Sequence, residues 1–320
     1  MINPALRRDR ITSTDVAPIF GVDPYRDGFD VWTGKHGHAP PIIPTKRMLL
    51  GKDLEQGIVK AYSRVTGRET QWCDETRVHP TETWMAGTPD AFAGEGRGVD
   101  AKLIFWDQRR NWGADARDIP EHITLQAWWL MAVCECDVWD VAALVGEDEP
   151  RVYEIERDRE AERVVVAKCH EWHRRYVIGD EIPPITGSDA AAVWLQQAFP
   201  LHKRPDMRPA TEEEIKFLEE YAYVRLEFKD RKRRREEMEN VIKLAIGDQE
   251  GLEWPGGKFT WRKAKDAQIT NWEAVARGLL HKYVPEAEHQ ALIDLHTNPR
   301  AGTRRIWFDS DLLHDMSDAA

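Results

Sequence analysis

The pattern of hydrophobic and polar positions predicts an α/β region followed by a mostly helical one. Over residues 45–67, apolar and small side chains recur every three or four positions between a threonine and a glycine, which predicts a long helix. Over residues 87–105 the period shortens to two and glycines interrupt it, which predicts two strands joined by a turn. Residues 138–145 and 151–156 are strand-like as well and extend the predicted sheet.

A proline-containing segment, residues 201–210, predicts a linker between two domains. Before it, residues 1–200 are predicted to form an α/β core with a mixed central sheet flanked by helices. After it, residues 211–320 are predicted to form a helical extension with a small β-hairpin. Within that extension we predict a long helix over 211–247, a hairpin over 252–261, helices over 272–283 and 287–296, and a strand over 304–308.

The composition narrows the class of protein. The chain has 320 residues, of which 42% are hydrophobic, enough for a sizeable core. It has no apolar run long enough to span a bilayer, and its first ten residues are too polar for a signal peptide, so we expect a soluble, intracellular protein without membrane contact. The four cysteines lack the spacing of a zinc or iron–sulfur site, which favours free thiols.

The charge distribution argues against a protein that coats nucleic acid with its whole surface. The formal net charge is −11, but residues 229–235 form a local basic strip. In this strip Arg231 and Arg235 occupy the seam of the long helix, where they are predicted to grip a DNA backbone or a partner. The alternative is a solvated face on which these arginines pair with neighbouring acids.

Three carboxylates and one lysine are the strongest candidates for chemistry. On the second predicted strand Asp100 and Lys102 point to one face, while Asp90 is carried by the preceding strand. Glu55 lies on the inward face of the first long helix. The alternatives are a surface ion pair for the strand residues and, for Glu55, pairing with a lysine of its own helix.

Like charges in one cleft are costly unless a cation lies among them. Oxygen ligands without histidine or cysteine suit Mg²⁺, with Mn²⁺ as a substitute. A metal-bound water is a nucleophile at neutral pH, and Lys102 is placed to orient or deprotonate it. The combination predicts hydrolysis of phosphodiester bonds.

Two further candidates come from helices. Gln126 lies on the buried stripe of a helix that begins near residue 118, where a buried glutamine can tie down a loop. Near the start of the chain, Arg7 lies close in sequence to Thr14, the predicted cap of a short helix that ends at Gly21. An arginine beside free helix-start N–H groups can bind an anion, although an ordinary capped helix has the same pattern.

These motifs resemble a known family. The run Pro89-Asp90, nine residues, Asp100-Ala101-Lys102 fits the signature of the PD-(D/E)xK nucleases. The order of motifs resembles that of the YqaJ-type viral recombinases and lambda exonuclease. In those proteins one helix carries a G-x-x-x-E motif, whose glutamate is Glu55 in this sequence, and a later helix carries a glutamine, which is Gln126 in this sequence. The second strand acid is Asp100 where most relatives have glutamate, which shortens its reach.

The resemblance covers roughly the first 200 residues and implies a restriction-endonuclease-like core. It implies that Glu55, Asp90, Asp100 and the Ala101 carbonyl hold metal, that Lys102 activates water with support from Gln126, and that Arg7 and Thr14 dock a 5′-phosphate. The implied activity is a Mg²⁺-dependent 5′→3′ exonuclease on double-stranded DNA ends that leaves 3′ single strands for recombination. It further implies a homo-oligomer and a single-strand annealing protein as partner, in the cytoplasm of a bacterial or phage-infected cell.

Two other functions remain open at this point. One keeps the fold but makes the protein an endonuclease of restriction or repair type, which would cut circular DNA. The other is a non-catalytic scaffold that binds DNA and recruits an annealing protein.

Overall fold

The computed structural model describes residues 4–39, 43–73, 75–115, 118–146, 149–201, 207–265, 269–297 and 306. The chain divides into two compact units, Met1–Pro200 and Leu201–Ala320. In the described part of the chain, no helix is both long and apolar enough to cross a membrane. The four cysteines are free thiols.

The first unit contains a mixed sheet with helices on both faces. Its helices are α1 (Pro4–Arg8), α2 (Ser13–Phe20), α3 (Gly28–Lys35), α4 (Lys46–Thr66), α5 (Glu121–Cys134), α6 (Arg159–His173) and α7 (Asp189–Ala198). Its strands are β1 (Ile11–Thr12), β2 (Gln71–Trp72), β3 (Arg77–Val78), β4 (Met85–Gly87), β5 (Ala91–Phe92), β6 (Arg97–Leu103), β7 (Val138–Leu144) and β8 (Arg151–Glu156). The predicted α/β class with a mixed sheet is confirmed.

Within the described residues, the main sheet has the strand order β2-β5-β6-β7-β8. Strand β6 is central in this sheet, since it pairs parallel with β7 along its whole length and antiparallel with β5 at Gly98 and Val99. A smaller sheet joins β1, β4 and β3. The single strand predicted to carry Asp90 is therefore wrong, because two short strands in different sheets, β4 and β5, flank this residue. Pro89 lies between them and has no N–H to continue a ladder.

Helices α4 and α5 cover opposite faces of the main sheet. Ile58, Val59 and Tyr62 of α4 pack with Val99 and Ala101 of β6. On the other face, α5 contributes Ile123, Ala127, Leu130 and Met131 to a core with Trp139, Val141 and Ala143 of β7. The helix runs from the Thr45 cap to Gly67 as predicted, but its apolar stripe is buried only over residues 58–62, whereas Leu50, Leu54 and Val65 are exposed.

A buried carboxylate ties α4 to the sheet. Asp140 of β7 is fully buried and accepts hydrogen bonds from the Tyr62 hydroxyl and, at 2.7 Å, from Arg97 Nη1. Arg68 Nη1 lies 3.4 Å from the same carboxylate. Burial, together with the hydrogen bond to Asp140 and its charge, raises the pKa of Tyr62 to about 12. The phenol therefore stays a hydrogen-bond donor at every physiological pH.

Removing this carboxylate should destabilise the first unit strongly. Asp140→Ala leaves the buried Tyr62 hydroxyl without its acceptor and removes the buried carboxylate that Arg97 and Arg68 share with Glu154, so we expect a loss of about 3 kcal/mol in the free energy of unfolding, measured by urea denaturation. Glu154→Ala is the matched control, because Glu154 contacts the same Arg97 but its side chain is 46% exposed, and it should cost about 1 kcal/mol or less. Equal losses for the two variants would contradict the role of the buried network.

The second unit is dominated by one long helix. Helix α8 (Glu212–Ile246) begins with a capping box formed by Thr211 and Glu214. It is followed by a hairpin of β9 (Gly251–Trp254) and β10 (Gly257–Thr260), then by α9 (Trp272–Tyr283) and α10 (His289–Leu295). These elements agree with the sequence prediction, whereas the strand predicted at 304–308 lies outside the described residues apart from residue 306.

Candidate active site

The central strand β6 presents the predicted acid and lysine to one face. Asp100 is in register with Val141 and Lys102 with Ala143, both of which belong to the core under α5. Val99 and Ala101 point to the α4 side. The alternation predicted from the sequence is therefore confirmed, and it places Asp100 and Lys102 on the face that α5 covers.

Asp90 reaches the same strand from the turn before β5. Its Oδ2 accepts a hydrogen bond of 2.7 Å from the backbone N–H of Ala101. The register Ala91–Val99 between β5 and β6 continues to place Asp90 beside Asp100. Two carboxylates, one on β6 and one on the turn that leads into β5, thus lie next to each other.

Lys102 is drawn to these acids. Its Nζ lies 3.2 Å from Asp100 Oδ2, and the two side chains are 22% and 4% exposed. Burial lowers the pKa of Lys102, but the charges of Asp100, Asp90 and Glu55 and the hydrogen bond to Asp100 outweigh it, so the pKa lies above its ordinary value. Lys102 is therefore an ammonium at neutral pH, which favours orientation and charge stabilisation over proton abstraction.

The carboxylates repel one another. Burial, the charge of Asp100 and the more distant charge of Glu55 raise the pKa of Asp90 to about 7, against the opposing Lys102 charge and the Ala101 N–H. Glu55 is half-buried on α4, and burial with a contribution from Asp100 raises its pKa despite Lys102 and Lys52. The charges of Asp100 and Lys102 on β6 therefore influence the pKa of Glu55.

Two of the predicted ligands suit a divalent cation. Asp90 and Asp100 offer hard oxygen donors from adjacent strands, and the repulsion that raises the pKa of Asp90 is what a divalent cation offsets. Among the described residues, however, no three acidic, histidine or cysteine side chains lie close enough together to hold an ion. The chemistry of the donors fits Mg²⁺ or Mn²⁺, whereas Glu55 does not close a three-residue ligand group with the two strand acids.

Helix α5 adds one predicted residue and one that sequence reasoning missed. Gln126 is half-buried on α5, the helix that covers the face carrying Asp100 and Lys102. One turn earlier, His122 is half-buried. Burial lowers its pKa, the charge of Asp23 opposes that effect, and the charge of Lys102 adds to it. His122 thus lies within electrostatic reach of Lys102, and only its position one turn before Gln126 could have suggested this.

A second cluster forms around the start of the chain. Arg7 Nη2 donates a hydrogen bond of 3.0 Å to the Thr14 hydroxyl, so the structure brings these two predicted residues together. The predicted cap is wrong: Thr12 is the N-cap of α2, and Thr14 lies inside the helix. Asp15 makes Thr12 the cap, because its carboxylate accepts hydrogen bonds from both the N–H and the hydroxyl of Thr12.

Lys35 connects the residues of this cluster, a role that was not predicted from the sequence. Its Nζ donates to the carbonyls of Arg7 and Arg10 at 3.1 and 2.6 Å and lies 2.9 Å from Asp15 Oδ2. Burial favours a higher pKa for Asp15, but Lys35 and Thr12 more than offset it, so the pKa falls below its ordinary value. A cavity of about 440 Å³ opens here, lined among others by Arg7, Asp15, Arg26, Thr33, Lys35 and Asp189.

Arg231 and Arg235, which were predicted to bind DNA, lie on α8 in the second unit. Arg231 and Arg235 are exposed and form ion pairs with Glu227 at 3.7 Å and Glu239 at 3.3 Å within the helix. This is the salt-bridged face that the sequence allowed as an alternative. Their role in DNA binding stays a prediction.

One protein family matches the part of the chain that contains Asp90, Asp100 and Lys102. Residues 4–137 match the family described as the YqaJ-like viral recombinase domain, which confirms the resemblance seen in the sequence. The chain is similar to the uncharacterized protein YqaJ of Bacillus subtilis (strain 168), with 24% identity over 252 residues, covering 76% of this chain and 77% of that protein.

Solved structures with partial similarity include the alkaline exonuclease LHK-Exo from Laribacter hongkongensis, with a TM-score of 0.45 and 17% identity over 54% of this chain and 90% of that one. Another is a phage-related exonuclease from Haemophilus somnus 129PT, with a TM-score of 0.41 and 12% identity over 52% of this chain and 93% of that one.

Proposed function

We propose that the chain is a Mg²⁺-dependent deoxyribonuclease that digests double-stranded DNA from its 5′ ends. One observation carries the proposal. The backbone of the D-x-K strand holds Asp90 through the Ala101 N–H, while Lys102 lies against Asp100, so the spaced motif residues meet in one place. The matched recombinase domain, residues 4–137, includes all of these residues.

The proposed reaction is hydrolysis of a phosphodiester bond. Water forms a bond to phosphorus, the P–O3′ bond of the terminal nucleotide breaks, and a proton passes to the departing oxygen. Asp90 and Asp100, with the Ala101 carbonyl, would hold the divalent cation, which when bound would supply positive charge that activates water. Glu55, the third predicted ligand, adds negative charge near this site but does not complete a three-residue ligand group with the two aspartates. Lys102, positively charged at neutral pH, orients the water and stabilises the negative charge that develops on the phosphate.

The other predicted residues serve alignment. Gln126 supports Lys102 or the attacking water from α5. Arg7 and Thr14 dock the terminal 5′-phosphate, because a guanidinium held by a hydroxyl is preset for bidentate contact with phosphate oxygens. Digestion in this direction would leave a 3′ single strand, the substrate of an annealing protein that we propose as partner in the cytoplasm of a bacterial or phage-infected cell.

Digestion of matched DNA substrates tests this function. Linear duplex with 5′-phosphate ends should release mononucleotides with Mg²⁺ faster than the same duplex with 5′-hydroxyl ends, and closed circular plasmid should stay intact. Cutting of the plasmid would identify an endonuclease instead. A protein that binds duplex DNA but releases nothing with either Mg²⁺ or Mn²⁺ would be a scaffold.

Lys35 supplies a sharper test of end docking. Lys35→Met should reduce the preference for 5′-phosphate ends at least about fivefold, because the carbonyls of Arg7 and Arg10 lose the ammonium that fixes them. The single variant also leaves Asp15 buried without its cation, so a loss of thermal stability is expected. The measured quantity is the ratio of kcat/KM for the two kinds of end.

The double variant Asp15→Asn/Lys35→Met separates the two effects. It removes both charges, so most of the stability should return while the end preference stays low. If the preference for 5′-phosphate ends returned together with the thermal stability, Lys35 would have only a structural role.

A further inference from the structure

Helix α8 exposes a continuous apolar seam. Phe217, Tyr221, Val224 and Phe228 follow one another at steps of four, three and four residues, and between 40% and 71% of each is exposed. This is the spacing by which one helix packs against another in a coiled coil. A surface concavity of about 550 Å³, lined among others by Val224, Leu226 and Phe228, lies on the same stretch. An apolar seam left exposed along a helix indicates an interaction site.

The charges on α8 indicate what covers the seam. Residues 212–220 carry five glutamates and one lysine, whereas residues 229–235 carry six cations and one aspartate. A parallel pair of these helices would place each block against its own copy. An antiparallel pair places the acidic block of one helix against the basic block of the other, and it also opposes the helix dipoles.

We propose that α8 pairs antiparallel with α8 of a second copy of this chain, with the crossing near residue 226. Every position of the seam then meets a seam position of the other copy: Val224 meets Phe228, Tyr221 meets Arg231 and Phe217 meets Arg235. The two arginines that interrupt the apolar pattern thus lie against aromatic rings, where a guanidinium is attracted to the ring face. Glu220 lies beside Arg234 of the other copy.

The pairing is isologous, so it closes at two chains through this helix. It also accounts for arginines in a seam, which in an isolated helix would interrupt the apolar stripe. The proposal concerns assembly, and its readouts do not depend on nuclease activity.

Cysteine cross-linking of the full-length chain tests both the contact and its direction. In the proposed pair, the two copies of residue 228 lie about 6 Å apart along the axis, whereas the two copies of residue 217 lie about 27 Å apart. Phe228→Cys should therefore cross-link to dimers with a short bis-maleimide, while Phe217→Cys and the wild type should not. Cross-linking at both positions would indicate a parallel pair and overturn the proposal.

Exchanging two charges tests whether a second copy of the chain covers the seam of α8. Glu220→Lys and Arg234→Glu each place like charges across the pair, so each variant alone should self-associate at least about fivefold more weakly in analytical ultracentrifugation. An equimolar mixture should recover dimers, because each variant then meets its opposite charge. Phe228→Glu should remove the dimer altogether, with an unchanged circular dichroism spectrum showing that the chain still folds.

Two results would overturn the proposal. One is a wild-type mass that Phe228→Glu does not change. The other is a monomeric wild type whose affinity for duplex DNA falls in Arg234→Glu, which would assign this face to nucleic acid.

Discussion

Lys102→Ala is expected to reduce the rate of mononucleotide release from duplex DNA by at least about 100-fold, because a charged group aimed at the developing phosphate charge is lost. Affinity for DNA should change by less than about threefold, since the Arg7 cluster proposed to dock the terminal phosphate remains. The measurements are single-turnover digestion with Mg²⁺ and fluorescence anisotropy with Ca²⁺. Loss of cleavage with retained binding is what separates an enzyme from a scaffold.

Two further variants locate the effect at this site. Lys60→Ala removes an exposed lysine from α4 and should leave the digestion rate unchanged. Lys102→Arg keeps the positive charge, so it should recover part of the rate if charge stabilisation is the main role, as the raised pKa of Lys102 indicates. A Lys102→Ala enzyme that digests DNA at the wild-type rate would remove the central residue from the proposed mechanism.

The second large effect concerns Asp90, pH and the divalent cation. The pKa of Asp90 lies near 7 in the folded chain, above the ordinary value of 3.8, so the folded state binds more protons than the unfolded state between these pH values. The contribution of Asp90 to stability is therefore present at acidic pH and is lost as the pH rises toward 7. A divalent cation that binds the ionised pair should restore it.

We therefore expect Mg²⁺ to raise the Tm by about 3 °C or more at pH 8 and by much less at pH 5. Asp90→Asn should remove most of this gain, because the amide keeps the hydrogen bond from Ala101 but loses the charge. Asp53→Asn, which changes an exposed carboxylate of α4, is the control and should respond to Mg²⁺ as the wild type does. The measurement is differential scanning fluorimetry, and an equal gain at both pH values would contradict the assignment.

The parts of the fold with strong local signals could be predicted from the sequence. Helix α4 has a regular apolar stripe between a threonine cap and a glycine, and β6 alternates strictly, so local residues alone specify both. The segment around Asp90 could not be predicted in the same way. Whether β4 and β5 continue as one strand depends on which neighbours they pair with, and those neighbours are distant in sequence.

The candidate site shows the same division. Asp100 and Lys102 are two residues apart on a strand, so their proximity follows from the pleat. Lys35 is 20 residues from Asp15, and the contact depends on how α3 packs beside α2, which no local pattern reveals. His122 was missed because its relation to Lys102 exists only once α5 covers β6.

The central position of β6 has a consequence for how the protein fails on heating. The strand pairs with β7 along its whole length and with β5 at Gly98 and Val99, the Ala101 N–H bonds to Asp90, and helices cover both faces, so its amides can exchange with solvent only through large-scale opening. Deuterium uptake at residues 99–102 should therefore be among the slowest in the first unit. Heat inactivation and cooperative melting should then coincide, because the strand that carries Asp100 and Lys102 unfolds only when the whole sheet does.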